Sequence, residues 1–266
     1  MRPLSALRAA AGVRGVFCDI DETLTSGGKL TAEAYSAMER LRASGKLVVP
    51  ITGRPAGWCD HIARMWPVDA VVGENGAFYF CYDALARKLV KRFLDDEAVR
   101  AAHRARLAAV RERVLAQVPG TAVASDQLYR ETDLAIDYCE DVARLPPAEV
   151  GRIVAIMQEA GLTAKVSSIH VNGWFGRYDK LGMTRTLMQE RYGVDLERAR
   201  AQYVFVGDSP NDAPMFAFFP NSVGVANVRE FAGRIATPPA FVTNARAGAG
   251  FAELADMVIR EGANSP

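Results

Sequence analysis

Short apolar runs alternate with stretches of helical periodicity at both ends of this chain. Val16 to Cys18, Leu47 to Ile51, Ala70 to Val72, Tyr203 to Val206 and Val223 to Val225 are unbroken enough to be strands buried on both faces. Between the first two, Thr31 to Leu41 places Ala34, Tyr35, Met38 and Leu41 close to helical spacing, with Thr31 positioned as the N-cap. Strands alternating with helices predict an α/β fold: a parallel sheet covered by helices on both faces.

The middle of the chain has another texture. Val99 to Val118 predicts a long helix, with Leu107, Val110, Val114 and Val118 on one face. Leu134, Ile136 and Tyr138 alternate with Ala135, Asp137 and Cys139, as in a half-buried strand. Pro146-Pro147 opens a second helix carrying Val150, Ile153, Val154 and Met157, which Gly161 stops, and Thr163 to Val171 alternates again. The expected organisation is therefore a core from residues 1–79 and 176–266, interrupted by an inserted α+β module over 80–175. No internal repeat or low-complexity tract is evident.

Composition narrows the picture only a little. The 266 residues are 50% hydrophobic and 24% charged, with a formal net charge of +1. That balance fits a globular enzyme and gives no electrostatic case for a nucleic acid or a membrane. The four cysteines, Cys18, Cys59, Cys81 and Cys139, form no C-x-x-C pair, so neither a zinc cage nor a redox motif is suggested, and a reducing, cytoplasmic location is expected. Met1 to Arg14, with Arg2, Arg8 and Arg14 around an alanine-rich centre, is too short and interrupted to be a signal peptide or a span. It reads as a frayed extension. Arg87 to Arg113 holds nine Lys/Arg against four acids, but without interleaved aromatics it reads as a solvated helix face. The sequence does not give an oligomeric state.

Four segments fall where a predicted strand ends or its following helix begins, at the edge of a parallel sheet where ligands bind. Asp19-x-Asp21-x-Thr23 follows the first strand. Taken alone it could be an acidic loop, with Thr23 as a cap. Two carboxylates at the end of a buried strand cost several kcal/mol, on the order of the penalty for buried ions, unless a cation or proton neutralises them. Thr52-Gly53-Arg54 ends the second strand, offering a hydroxyl and a close backbone approach to a phosphoryl oxygen, although a turn and cap would look the same. Asp179-Lys180 opens a helix from Leu181 to Tyr192 and can hold an ammonium over a negative site. Asp208-Ser209-Pro210-Asn211-Asp212 follows the strand Tyr203 to Val206, with Ser209 at an N-cap and Pro210 at N1. Asp19, Asp21, Asp208 and Asp212 together would make an oxygen-rich site for a hard cation, most simply Mg²⁺.

This series of motifs, in this order, resembles the haloacid dehalogenase superfamily of phosphotransferases, over roughly Gly15 to Leu254. The resemblance implies a Rossmann-like, three-layer parallel-sheet core, with the insert as a type C2 cap. Gly73-Glu74-Asn75-Gly76-Ala77, Gly224-Val225-Ala226-Asn227 and Gly248-Ala249-Gly250-Phe251 resemble segments of its subclass IIB. By the same resemblance Asp19 is the nucleophile and forms an aspartyl-phosphate. Asp21 is the general acid, then the base. Mg²⁺ is held by Asp19, the carbonyl of Asp21 and Asp208, with Asp212 orienting Lys180 or a metal-bound water. Thr52, Gly53, Arg54, Asn75, Lys180 and Asn211 are the expected phosphate-side residues. Glu22 and Leu181 stand where relatives commonly have Gly.

Substrate choice is expected to lie in the insert. In Ser168-x-His170-x-Asn172-Gly173-Trp174 the alternation aims Ser168, His170 and Asn172 to one side. A polar row beside an aromatic ring suits a sugar, and an amphipathic strand with a solvent-facing row would read alike. Relatives with such a cap include sucrose-, trehalose- and mannosyl-phosphoglycerate-type phosphatases, so the expected partner is a small phosphorylated substrate, a sugar phosphate. A phosphomannomutase-like phosphotransferase, a receiver-like phospho-acceptor and a silent sugar-phosphate-binding module are the alternatives. No P-loop is present, and Gly248-Ala249-Gly250 lacks the third glycine of a dinucleotide fingerprint.

Overall fold

The computed structural model describes residues 1–7, 10, 12–167 and 169–263. Its core is a sheet of six strands, in the order Leu47–Pro50, Gly15–Cys18, Tyr203–Gly207, Val223–Gly224, Phe241–Val242 and Arg2–Pro3, every neighbouring pair parallel. Phe17 sits in register with Phe205 on one side and Val49 on the other. Successive side chains point to opposite faces, so Val16 and Cys18 join one apolar cluster while Phe17 joins the other. On the first face lie the helices Ala32–Ala43 and Ala247–Ala263, through Met38, Leu41, Phe251 and Leu254. On the second lie Lys180–Tyr192 and Ala213–Phe218, through Met183, Leu187 and Phe216. Strands covered on both faces need no polar alternation, which is why the runs were unbroken. Thr31 caps its helix as expected, its side chain accepting a hydrogen bond from the Ala34 N–H.

Three expectations need correction. The N-terminus is not a frayed extension: Arg2–Pro3 pairs with Phe241–Val242, and Leu4, Leu7, Ala10 and Val13 are buried in the core. The insert does not start at residue 80. Phe78–Asp83 and Lys88–Phe93 form a hairpin paired to Val71–Gly73, and Phe78, Phe80, Tyr79 and Cys81 are buried in the two core clusters. Apolar residues on both faces of that strand tie it to the core, so the inserted body begins after Phe93. The stretch Thr163 to Val171 is not one strand but parts of two antiparallel ones, Thr163–Val166 and His170–Trp174, and Ser168 lies outside the described residues.

The insert builds its own core. Helices Glu97–Gln117 and Pro147–Glu159 pack against the sheet through Leu107, Val110, Val114, Ile153, Ile156 and Met157. Strand Asp133–Asp137 is buried along its whole length, not half-buried, because its second face closes over the core domain. Among the charges of the basic run, Lys91 pairs with Asp60, Arg92 with Glu190, Arg104 with Glu131 and Arg113 with Glu159. They are balanced across neighbouring elements and do not form a bare cationic face.

Candidate active site

The parallel sheet brings its acidic loops to one edge. After Cys18 the chain turns sharply, with the Asp19 N–H donating to the Val206 carbonyl at 2.9 Å, so the Asp19 loop lies beside the loop that begins at Asp208. Glu22 adopts φ 56°, a left-handed conformation that favours glycine, and this gives a physical reason for the glycine expected there. Asn227 then fastens the two loops. Its Nδ2 donates to the Glu22 carbonyl at 3.0 Å and to Asp208 Oδ2 at 3.2 Å.

Lys180 sits at the centre. Asp179 caps the helix that carries it, accepting from the Gly182 N–H at 2.7 Å, and the ammonium is buried at its first turn. Its Nζ donates to Asp19 Oδ1 at 2.7 Å and to Asp212 Oδ1 at 2.9 Å. Asp212 Oδ2 accepts from the Asp208 N–H at 3.2 Å, so both its oxygens are engaged in holding neighbours. Only glycine fits at 207, since a Cβ there would come within 2.3 Å of Asp212 Oδ2. Ser209 occupies the expected N-cap position but does not cap the short helix. Its hydroxyl turns to Asn211 Oδ1 at 2.8 Å.

Charge in this site is unbalanced. Burial, then Asp212 and Asp21 against the attraction of Lys180, leaves the Asp19 carboxyl raised to about 7. Burial, then Asp19 and Asp212, pushes Asp208 up to about 9. Burial alone would lower Lys180, but the two carboxylates it touches hold it well above the ordinary lysine range. One ammonium thus faces three buried carboxylates, and carboxylate oxygens of Asp19, Asp208 and Asp212 lie within 4.8 Å of one another. The donor set is all oxygen, which is what Mg²⁺ takes.

A sign follows for pH. Asp19 and Asp208 hold protons in the metal-free fold that the unfolded chain releases near pH 4. Their contribution to stability is complete below that value and is lost as pH rises through about 7 and then about 9. A divalent cation held by these carboxylates would compete with those protons. Stabilisation by Mg²⁺ in thermal unfolding is therefore expected to be small at about pH 5.5 and to grow by about pH 8.5. An equal rise at both values would remove these carboxylates from the metal site.

Arg54 lines the inner cavity between core and cap, but its guanidinium is engaged by carboxylates. Its Nε and Nη2 donate to Asp21 Oδ1 at 3.0 and 2.8 Å, its guanidinium lies 4.6 Å from the Trp58 ring centroid, and its Nη1 stands 3.7 Å from both Asp126 and Glu140 of the cap. It clamps the expected proton carrier and links it to the insert. Thr52 is buried behind the cavity, its hydroxyl accepting from the Arg54 N–H at 3.0 Å.

A cavity of about 40 Å³ remains between core and cap. Asp19, Asp21, Gly53, Asn75, Asp208 and Asn211 line it below, and His170, Asn172 and Arg130 above. Asn75 Nδ2 is buried there with no partner among the described residues. His170 and Asn172 are buried rather than solvent-facing. His170 Nε2 lies 2.8 Å from the Glu140 carboxylate, and Asn172 Nδ2 donates to Asp133 at 3.0 Å. Burial, then the nearby Arg130, keeps His170 below its usual range.

Sequence reasoning missed the groups that dock the cap. Arg130 donates to the Gly53 carbonyl at 3.0 Å and is itself held by Asp126 and Asp133. Glu74 accepts from the Ala56 N–H at 2.9 Å on the core side and from the Thr132 N–H at 2.7 Å on the cap side. Glu74 lay inside a motif already singled out. Arg130 carried no local signal, because its partner is a backbone carbonyl seventy-seven residues away.

Comparison with known proteins agrees with this arrangement. The family model described as haloacid dehalogenase-like hydrolase matches residues 16–130. Over that span the chain is similar to the haloacid dehalogenase-like hydrolases. No curated protein matches it by sequence. Among solved structures, a Thermoplasma acidophilum protein superposes with TM-score 0.71 at 17% identity, covering 92% of this chain and 98% of its own. The sucrose-phosphatase of Synechocystis, solved with sucrose and phosphate, gives 0.64 at 14%, covering 92% and 98%. A subclass IIB sugar phosphatase of the superfamily gives 0.60 at 15%, covering 91% and 97%. Identities so low establish the shared fold of core and inserted cap.

Proposed function

We propose that this chain is a Mg²⁺-dependent phosphatase that removes the phosphoryl group of a sugar phosphate by way of an aspartyl-phosphate on Asp19. The observation that carries the reading is the single ammonium of Lys180 bridging Asp19 and Asp212 beside Asp208, at the carboxyl edge of the sheet. Asp19 and Asp208, with the backbone carbonyl of Asp21, would hold the metal, whose bound charge offsets the repulsion between a phosphate dianion and a carboxylate nucleophile.

This chain's own groups do the rest. Lys180 neutralises one oxygen of Asp19 and leaves the other to attack phosphorus, while Asp212 fixes the lysine. Asp21, steadied by Arg54, gives its proton to the leaving oxygen as the phosphorus–oxygen bond breaks. It then takes one from the water that hydrolyses the acyl phosphate. Asn75, Gly53 and Asn211 surround the cavity in which the phosphoryl oxygens would lie, and Arg130, His170 and Asn172 roof it, excluding bulk water. The sugar reading is supported by the sugar phosphatases among the structural neighbours. Cys18, Cys59 and Cys81 are thiols in the fold, and no helix among the described residues is long and apolar enough to cross a membrane. Both suit the cytoplasmic location included in the proposal.

The test is release of inorganic phosphate from a panel of sugar phosphates with Mg²⁺. Release is expected without any bisphosphate activator. A requirement for one would make the enzyme a mutase, and no release from any member would sink the sugar reading. Asp21→Asn should lower release from an alkyl phosphate by about 10²–10⁴-fold. Single-turnover transfer from p-nitrophenyl phosphate, whose leaving group needs no proton, should fall less. Equal losses would deny Asp21 its proton role.

A further inference from the structure

A second, larger cavity of about 470 Å³ adjoins the first and shares Asp21 and Arg54 with it as a common wall. Its far side is apolar and aromatic. Trp58 and Ile62 lie four residues apart on one face of the helix Ala56–Met65, Trp66 follows at its C-cap, and Tyr129 of the cap lines the same space. Cap and helix meet tightly here, since a Cβ on Gly57 would come within 2.9 Å of Tyr129. Trp58 is 43% exposed, although it is one of only three tryptophans in the chain. The Arg54 guanidinium that clamps Asp21 also lies over the Trp58 ring.

Size separates the two cavities by task. The inner one, at about 40 Å³ against about 470 Å³, is by far the smaller. It has room on the scale of a phosphoryl group and none for a ring. The outer one falls in the range of small-ligand pockets, about 300–1,000 Å³. The oxygen that leaves phosphorus must face the group that protonates it, and Asp21 borders both spaces.

We infer that the aromatic seam between the helix Ala56–Met65 and the cap is the leaving-group subsite. It takes the ring of the phosphate monoester, with an apolar ring face against Trp58 and the phosphate reaching past Asp21 into the inner cavity. This rests on the phosphatase reading and adds to it where the alcohol sits and what shape it has. Specificity then comes from a core helix and one cap tyrosine, while His170 and Asn172 roof the phosphate. Because Arg54 touches both Trp58 and Asp21, a ring packed on Trp58 also fixes the proton carrier.

The experiment compares glucose 6-phosphate, which has a ring, with glycerol 1-phosphate, which has none, by kcat/KM in the full chain with Mg²⁺. Trp58→Ala should lower the ratio of the two values at least tenfold, chiefly through KM for the ring substrate, and Trp58→Phe should restore most of it. Leu85→Ala, at a position 99% exposed on the core hairpin, should leave the ratio as it is in the native chain. An unchanged ratio in Trp58→Ala overturns the subsite. Binding keeps the two readings apart: free glucose should quench tryptophan emission in the native protein more than in Trp58→Ala. Hydrolysis of both phosphates with no such difference leaves the phosphatase standing and the subsite refuted. Quenching that depends on Trp58, without any phosphate release, refutes the phosphatase reading alone.

Discussion

Asp19→Asn is expected to lower phosphate release by about 10⁴-fold or more while leaving the fold at least as stable. The loss follows from the nucleophile: an amide oxygen does not form the acyl phosphate, and no neighbouring carboxylate occupies the same position on the sheet edge. The stability argument runs the other way. Asp19 is 5% exposed and shares a small volume with Asp208 and Asp212, so in metal-free buffer near pH 8 its charge is repelled by Asp212 and poorly solvated. Asparagine removes that repulsion, keeps the shape, and leaves Lys180 paired with Asp212 at 2.9 Å. The midpoint of thermal unfolding in metal-free buffer should therefore hold or rise, and the increment that Mg²⁺ adds should shrink. Near-native turnover in Asp19→Asn would end the covalent mechanism. A large drop in the metal-free midpoint would show that the carboxylate supports the fold, contrary to the charge balance described.

Lys180→Met should be the most damaging single change to stability. The methionine chain fills the space of the lysine stem, so packing is nearly conserved, but the ammonium that bridges Asp19 and Asp212 is gone. Breaking a buried pair by removing one partner costs about 3–5 kcal/mol, because the remaining charge is neither solvated nor paired. Here two carboxylates lose their partner together. The loss should be greatest above pH 8 and partly recovered at pH 5, where Asp19 and Asp208 are protonated. Urea unfolding at the two pH values measures it. A change below about 1 kcal/mol at both would mean that the carboxylates are already neutral without the lysine. Activity should fall as well, since Lys180 positions Asp19.

The two substitutions separate the charges that do chemistry from those that permit it. By these expectations Asp19 is expensive to the fold and needed for the proposed reaction, which is the pattern of a functional carboxylate. Lys180 and Asp212 keep it in place. Asn227 does the same for Asp208 from the other side, and its role is visible only because two loops separated by some two hundred residues meet at its side chain.

The sequence by itself determined the sheet and its chemistry. Runs such as Val16 to Cys18 and Tyr203 to Val206 had to be buried on both faces, and parallel strands put their carboxyl ends on one edge. Asp19, Asp21, Lys180 and Asp208 could therefore be collected from residue type and position alone. That the Asp208 loop meets the Asp19 loop was decided by the strand order, in which the strands preceding them pair directly. Tertiary structure decided what each long side chain faces. Arg54, at the wall of the inner cavity, is held by Asp21 and lies over the Trp58 ring, partners that strand and helix periodicity does not encode. His170 and Asn172, expected to present a polar row, became buried roof residues once Glu140 and Asp133 paired with them. The seam pocket belongs to the same class. Its helix stripe can be read along the chain, but only the docking of the cap, through Arg130 on a backbone carbonyl and Glu74 on the Thr132 amide, turned that stripe into the wall of a cavity.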